Sequence, residues 1–268
     1  MPYMKVDGKR LYYEVTGEGK TALLFLHCWT CNHTFWDQQV RALSDACRCI
    51  TVDLPGHGQS EDGGDYTIDT FSGCVHEVLK KLGIKKAVLV GHSLGGMIAL
   101  NMALTYPAIV KGLVLVDTSA KLKRYLFQNV STILGLAVGM LSFPALKKAV
   151  IDLSALHPLT GLKTRKRIKD DVIKVPNRVA INTLRAIRSF DVLGRLRDIK
   201  VPALILVGNM DIFTDIRHAL ELYARIPHAR LRIIKGAGHM TLLEQPDKVN
   251  SRIREFLSTL PAARCIPT

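Results

Sequence analysis

Four short runs that are apolar at nearly every position constrain the fold more than any other feature of this chain. They are TALLFLH (21–27), CRCITVD (47–53), AVLVGHS (87–93) and KGLVLVD (111–117). A strand with one wet face alternates apolar and polar residues. A run that does not alternate must be covered on both faces, which is the condition of strands in a parallel sheet between layers of helix. PALILVG (202–208) and ARLRIIKG (229–236) continue the series. The stretches between them carry helical spacing. From Phe71 to Leu82, the residues Val75, Val78, Leu79 and Leu82 fall on one stripe, and Leu94 to Tyr106 follows its strand directly until Pro107 stops it. Further helices are predicted near 215–226 and 247–259. From Tyr3 to Val15 the chain reads as an antiparallel hairpin turning at Asp7-Gly8. The pattern predicts an α/β fold: a mostly parallel eight-stranded sheet with helices on both faces.

Residues 119–190 break the alternation. They hold no strong strand and carry fourteen Lys or Arg against Asp152, Asp170 and Asp171, a net +11 of the chain's +14. We therefore read 1–118 and 191–268 as the core and 119–190 as an insertion. At 268 residues, with 48% hydrophobic and 22% charged residues, the chain can bury a large single core, and disordered or fibrous classes are excluded. The six cysteines are too sparse for a disulfide scaffold, and MPYMKVDGKR has no apolar signal core, so a reducing, cytoplasmic setting is expected.

Gly91-His92-Ser93-Leu94-Gly95 lies where a strand run ends and a helix begins. A serine in so sharp a turn leaves no room two residues either side, which explains the glycines, and its hydroxyl projects above the sheet. Serine is a weak nucleophile at neutral pH and needs a histidine base, itself oriented by an acid. Of nine histidines, His239 follows the last strand run through Gly236-Ala237-Gly238, at the sheet edge where Ser93 emerges. Two acids end strand runs at that edge, Asp117 and Asp211. Asp211 is favoured because it lies on the later strand, nearer His239. At the end of the third strand, His27-Cys28-Trp29 can present a backbone N–H opposite that of Leu94, so the Trp29 and Leu94 N–H groups are the expected oxyanion donors. His27, His57 and His92 are read as loop and elbow packing, and Cys47, Cys49 and Cys74 as small core residues.

With these residues in hand, the chain resembles the α/β-hydrolase superfamily, in its branch of serine esterases and lactonases with a helical cap. The resemblance rests on GHSLGG (91–96), DLPGHGQS (53–60), Trp36 in FWDQQ, the acid of LVGNMD, and GHMTLLEQP (238–246), and it covers nearly the whole chain outside 119–190. It implies a Ser93–His239–Asp211 triad, no cofactor and no metal, and a cap at 119–190. Cys28 stands where the family usually has glycine. Ser93 is unlike the aspartate of the epoxide hydrolase and haloalkane dehalogenase branches, and Thr30 and Met240 are unlike the haloperoxidase and carbon–carbon hydrolase branches.

In the insertion, 22 uncharged residues separate Arg124 from Lys147, diluted by Gln128, Asn129 and Pro144. We read Leu136, Met140 and Phe143, with Met240, as an apolar pocket wall in preference to a membrane span. The expected partner is a small acyl substrate, apolar with an anionic group, and the basic flanks allow weak association with an anionic membrane surface. The run Lys163 to Lys169 lacks interleaved aromatics, so no nucleic acid is expected. Cys28-x-x-Cys31 has the spacing of redox and zinc motifs, but no second ligand pair accompanies it. The function predicted is hydrolysis of a carboxylic ester, thioester or lactone through an acyl-enzyme. An acyltransferase would use the same residues, and a lipid or nucleic-acid binder on the same scaffold is the non-enzymatic alternative.

Overall fold

The structure, a computed structural model, describes residues 2–122, 158, 160–172 and 174–261. Its eight strands are β1 (Tyr3–Val6), β2 (Lys9–Thr16), β3 (Thr21–Leu26), β4 (Cys47–Val52), β5 (Ala87–His92), β6 (Val110–Val116), β7 (Ala203–Gly208) and β8 (Ala229–Ile234). They form one sheet in the order β1-β2-β4-β3-β5-β6-β7-β8. Asp7 and Gly8 both have positive φ, +46° and +83°, and Val6 pairs with Lys9, so β1 and β2 are joined by the tight two-residue turn that Asp-Gly favours. β2 pairs antiparallel with β4, and every pairing from β4 to β8 is parallel.

Continuous apolar runs mean two buried faces, and successive residues do serve opposite layers. Leu24 and Leu26 of β3 join one hydrophobic cluster while Leu23 and Phe25 join the other; Leu113 and Leu115 of β6 are likewise separated from Val114 and Val116. The first cluster is covered by α2 (Ile68–Lys81), α3 (Leu94–Thr105) and α6 (Ile216–Arg225), through residues such as Val78, Ile98 and Leu222. The second is covered by α1 (Asp37–Leu43) and α8 (Pro246–Ser258), through Leu43, Ile253 and Phe256. Each fully buried Leu or Phe contributes roughly 1.5–3 kcal/mol. Cys47, Cys49 and Cys74 are buried within these layers.

The stripe expected from Phe71 belongs to a helix that starts three residues earlier, because the Thr67 hydroxyl caps it by accepting the Thr70 N–H at 3.0 Å. Between β6 and β7 the described residues form no strand in the sheet. They include α4 (Leu162–Val172) and α5 (Asn177–Ser189), and α7 (Thr241–Glu244) follows β8. The 22-residue uncharged segment lies outside the described residues, and so do Leu136, Met140 and Phe143. Among the described residues no helix is long and apolar enough to cross a membrane.

Sheet order fixes where a site can form. From β3 the chain moves to β4 on one side and returns to β5 on the other. The loops leaving the carboxyl ends of β3 and β5 therefore diverge and leave a crevice between them, as open α/β sheets do at the point where strand order reverses.

Candidate active site

Ser93 sits at that crevice, between β5 and α3, with φ +52° and ψ −112°, a conformation that non-glycine residues rarely adopt. The elbow is held from both sides. The Ser93 N–H donates to the Val116 carbonyl at 3.0 Å, while the Ser93 carbonyl accepts from Gly96 N, Met97 N and the Thr118 hydroxyl. A Cβ on Gly91 would overlap the Gly95 carbonyl, and one on Gly95 would overlap the Leu26 carbonyl. The two glycines are thus required by close approach of backbone, as the spacing implies.

His239 reaches Ser93 from the loop after β8, with Nε2 3.1 Å from Ser93 Oγ, and its Nδ1 lies 2.9 Å from Asp211 Oδ2. Asp211 is itself fixed in place: Oδ1 accepts from the Phe213 and Thr214 N–H groups, and Oδ2 accepts from the Thr214 hydroxyl at 2.7 Å. The acid and base loops are also joined by backbone. Met210 N donates to Ala237 O, and Asn209 Oδ1 accepts from Gly236 N. Phe213 meets the His239 ring edge-on at 5.2 Å.

The electrostatics follow from burial and pairing. Burial opposes charge on Asp211, but the His239 ring and the Thr214 donors outweigh it and hold the carboxyl down at about 2. Burial likewise opposes charge on His239, yet Asp211 raises its pKa above the ordinary histidine value.

The rival acid, Asp117, is used differently. It is wholly buried, accepts from Gly208 N (2.9 Å), Thr241 N (3.2 Å) and the Thr241 hydroxyl (3.1 Å), and none of these bonds involves the His239 ring. Burial and the charge on Asp211 push it well above the carboxylate range. His92 donates from Nε2 to the His239 carbonyl at 2.7 Å, so it steadies the base loop from below.

His27 also has a structural part: its Nδ1–H donates to Cys28 O at 2.8 Å, and its Nε2 accepts from Leu54 N at 3.0 Å, as suits a buried neutral ring. His57 is buried too, and burial lowers it to about 3. Neither the Trp29 nor the Leu94 N–H has a hydrogen-bond partner among the described residues, and Leu94 opens α3, where first-turn N–H groups have no partner within the helix. The Trp29 indole donates to the Ala180 carbonyl of α5 at 2.9 Å. Met240, expected in the pocket wall, is 6% exposed and packs in the second hydrophobic cluster beside His239.

Two features escaped the sequence reading. Thr214 contacts both Asp211 and His239 Nδ1 (3.4 Å), and its only trace in sequence is a hydroxyl three residues after the acid. Asp53, fully buried, accepts from the N–H and Nδ1 of His33 and from Gln59 N, tying the loop after β3 to the loop after β4. The helices α4 and α5 lie against these loops through ion pairs of Arg167 with Asp37 and Arg178 with Asp62. Other basic residues of α4 are engaged locally, Lys166 with Asp170 and Arg165 with the Thr160 carbonyl.

The sequence profile of the alpha/beta hydrolase fold matches residues 21–246. This chain belongs to the alpha/beta hydrolase fold family. Within the family, the AB hydrolase superfamily protein YisY of Bacillus subtilis is 31% identical, over 92% of this chain and 94% of that protein. A pimeloyl-[acyl-carrier protein] methyl ester esterase of Aliivibrio salmonicida is 29% identical, over 92% of this chain and 95% of its own. Among solved structures of similar fold, Est816, an N-acyl homoserine lactone degrading enzyme, superposes with a TM-score of 0.81 at 26% identity, covering 95% of this chain and all of that one.

Proposed function

We propose that this alpha/beta hydrolase cleaves a carboxylic ester, or a thioester or lactone of like electrophilicity, through an acyl-enzyme on Ser93. The observation that carries this reading is the unbroken relay from Ser93 Oγ through His239 to Asp211, at 3.1 Å and 2.9 Å. Ser93 Oγ attacks the acyl carbon while His239 Nε2 takes its proton. Asp211 accepts the Nδ1–H and stabilises the imidazolium, and the Trp29 and Leu94 N–H groups receive the oxyanion. His239 then protonates the leaving alkoxide and activates the water that releases the acyl group. The esterase and lactonase relatives support the substrate class. Residues 119–190 act as the cap in this reading, since α5 and α4 bond to the Trp29 loop and to Asp37 and Asp62 around the crevice. The substrate in this reading is a small acyl compound.

The test is a chain-length series of esters, thioesters and lactones, run beside a fluorophosphonate probe whose adduct is located by peptide mass. Turnover together with an adduct in peptide 87–111 is expected. No turnover and no adduct on Ser93 would remove the proposal.

The pH profile follows from the sign of the His239 shift. The base must be neutral to act, so kcat/KM falls tenfold per pH unit below its pKa, and because Asp211 raises that pKa, the acid limb should lie above about 6.5. In Asp211→Asn the limb should move to lower pH. A limb already below pH 6 in the unmodified protein would show that the Asp211–His239 pair does not set it.

A further inference from the structure

We propose that Cys28 and Cys31 form a peroxide-reactive dithiol, converted by a small hydroperoxide into a disulfide that reshapes the turn carrying the Trp29 N–H. Both cysteines are free, and their sulfurs lie 2.7 Å apart. The turn between them brings this about. Cys31 N donates to Cys28 O at 3.2 Å, closing a four-residue turn, and Thr30 at its third position has φ +59°. A β-branched residue in left-handed backbone is strained, and here the strain sits between two sulfurs within reach of a bond.

The two thiols are chemically unequal. Burial opposes ionisation of Cys28, but its hydrogen bond with Cys31 and the nearby His92 and His239 rings outweigh this and hold it well below the ordinary thiol value. Burial and the same hydrogen bond push Cys31 well above it. Cys28 is therefore the attacking sulfur and Cys31 the resolving one. With residues only 3% and 1% exposed, neither sulfur is open to a bulky disulfide or a protein partner, which selects a small hydroperoxide as oxidant.

The Cys28 thiolate attacks one peroxide oxygen, the O–O bond breaks, and the leaving alkoxide or hydroxide takes up a proton, giving a Cys28 sulfenic acid. Cys31 sulfur then attacks Cys28 sulfur, the S–O bond breaks and water leaves. In sum two thiols and one hydroperoxide give one disulfide, one alcohol (or water) and one water, with two electrons passing to oxygen. Trp29 lies inside the closed ring, so the bridge acts on the N–H read above as an oxyanion donor. This second effect rests on the proposed acyl-enzyme chemistry, whereas bridge formation does not.

The test uses the full-length protein exposed to hydrogen peroxide, then denatured and alkylated. Tryptic peptide 21–41 contains Cys28 and Cys31 and no other cysteine. It should change from a doubly alkylated form to an unalkylated form two hydrogen atoms lighter than the free dithiol peptide, and revert with a dithiol reductant. Cys31→Ala should leave the peptide unbridged, with Cys28 oxidised to sulfenic or sulfinic acid. The bridged protein should react with a fluorophosphonate at least about tenfold more slowly, recovering on reduction. Two alkyl groups still on the peptide after peroxide treatment, or a bridge from Cys28 to Cys47 or Cys49, would overturn the dithiol. An unchanged fluorophosphonate rate in fully bridged protein would overturn the effect on Trp29. Absence of any fluorophosphonate reaction in the reduced protein would instead count against the acyl-enzyme, with the mass result still deciding the bridge.

Discussion

Replacing Ser93 by alanine is expected to abolish fluorophosphonate labelling and to lower ester turnover by roughly 10⁶-fold, to the residual rate that binding and oxyanion donors supply alone. The effect is large because the change removes one oxygen and leaves the relay behind it intact. His239 keeps its bond to Asp211, the Ser93 N–H still meets Val116 O, and the Ser93 carbonyl still accepts from Gly96, Met97 and Thr118. The neighbouring hydroxyl of Thr118 is committed to that carbonyl and cannot substitute for the lost one. Label persisting at a comparable rate would place the nucleophile elsewhere. Finding that label on peptide 21–41 would then point to the Cys28–Cys31 pair, of which Cys28 is the group whose charge acts on His239.

Asp211→Asn should cost roughly 10⁴-fold in kcat, while Asp117→Asn should leave kcat nearly unchanged and lower the unfolding midpoint in urea instead. Asp211 Oδ2 holds the Nδ1–H of His239, and an amide nitrogen there would present hydrogen to hydrogen and favour the wrong tautomer. Asp117 accepts from Gly208 and Thr241 and has His92 Nε2 3.7 Å away; a neutral carboxyl brings one hydrogen to this ring of donors, whereas an amide brings two and sets an N–H against another inside the core. The two substitutions are chemically identical, and their contrast therefore isolates position. The reverse pattern, with kcat lost at 117 and retained at 211, would transfer the role of acid to Asp117.

The parts of this fold that could be read from sequence were those whose physics is local. Doubly covered strands announce themselves as unbroken apolar runs, and Asp7-Gly8 announces a tight turn because few other pairs tolerate two positive φ values. Ser93 was legible through Gly91 and Gly95, which its crowded backbone demands, and His239 through its place after the last strand run. What was not legible depends on which strands become neighbours. Asp117 and Asp211 look alike in sequence, each an acid ending an apolar run. They are separated only by contacts between β6, β7 and the His239 loop, where Asp117 is spent on Thr241, 124 residues away. The Asp53–His33 bond and the second contact of Thr214 have the same character, because no periodicity encodes a hydrogen bond across two loops. The start of α2 was misplaced because the hydrophobic stripe marks only the buried face, whereas the Thr67 hydroxyl sets the first turn.

The backbone at Ser93 has a consequence for how durable this protein can become. At φ +52° and ψ −112° the residue occupies a region that glycine enters freely and other residues enter at a cost of about 1–3 kcal/mol. Alanine and glycine at position 93 both delete the hydroxyl, but only glycine also releases that strain, offset by about 0.5–1 kcal/mol for its freer unfolded chain. Ser93→Gly should therefore unfold at higher denaturant concentration than Ser93→Ala, by roughly 1 kcal/mol in stability, with both inactive. Equal midpoints would mean that the elbow stores no strain. Selection for longevity alone would thus favour glycine at position 93, and under the proposed mechanism only a demand for turnover keeps a side chain at this corner of the chain.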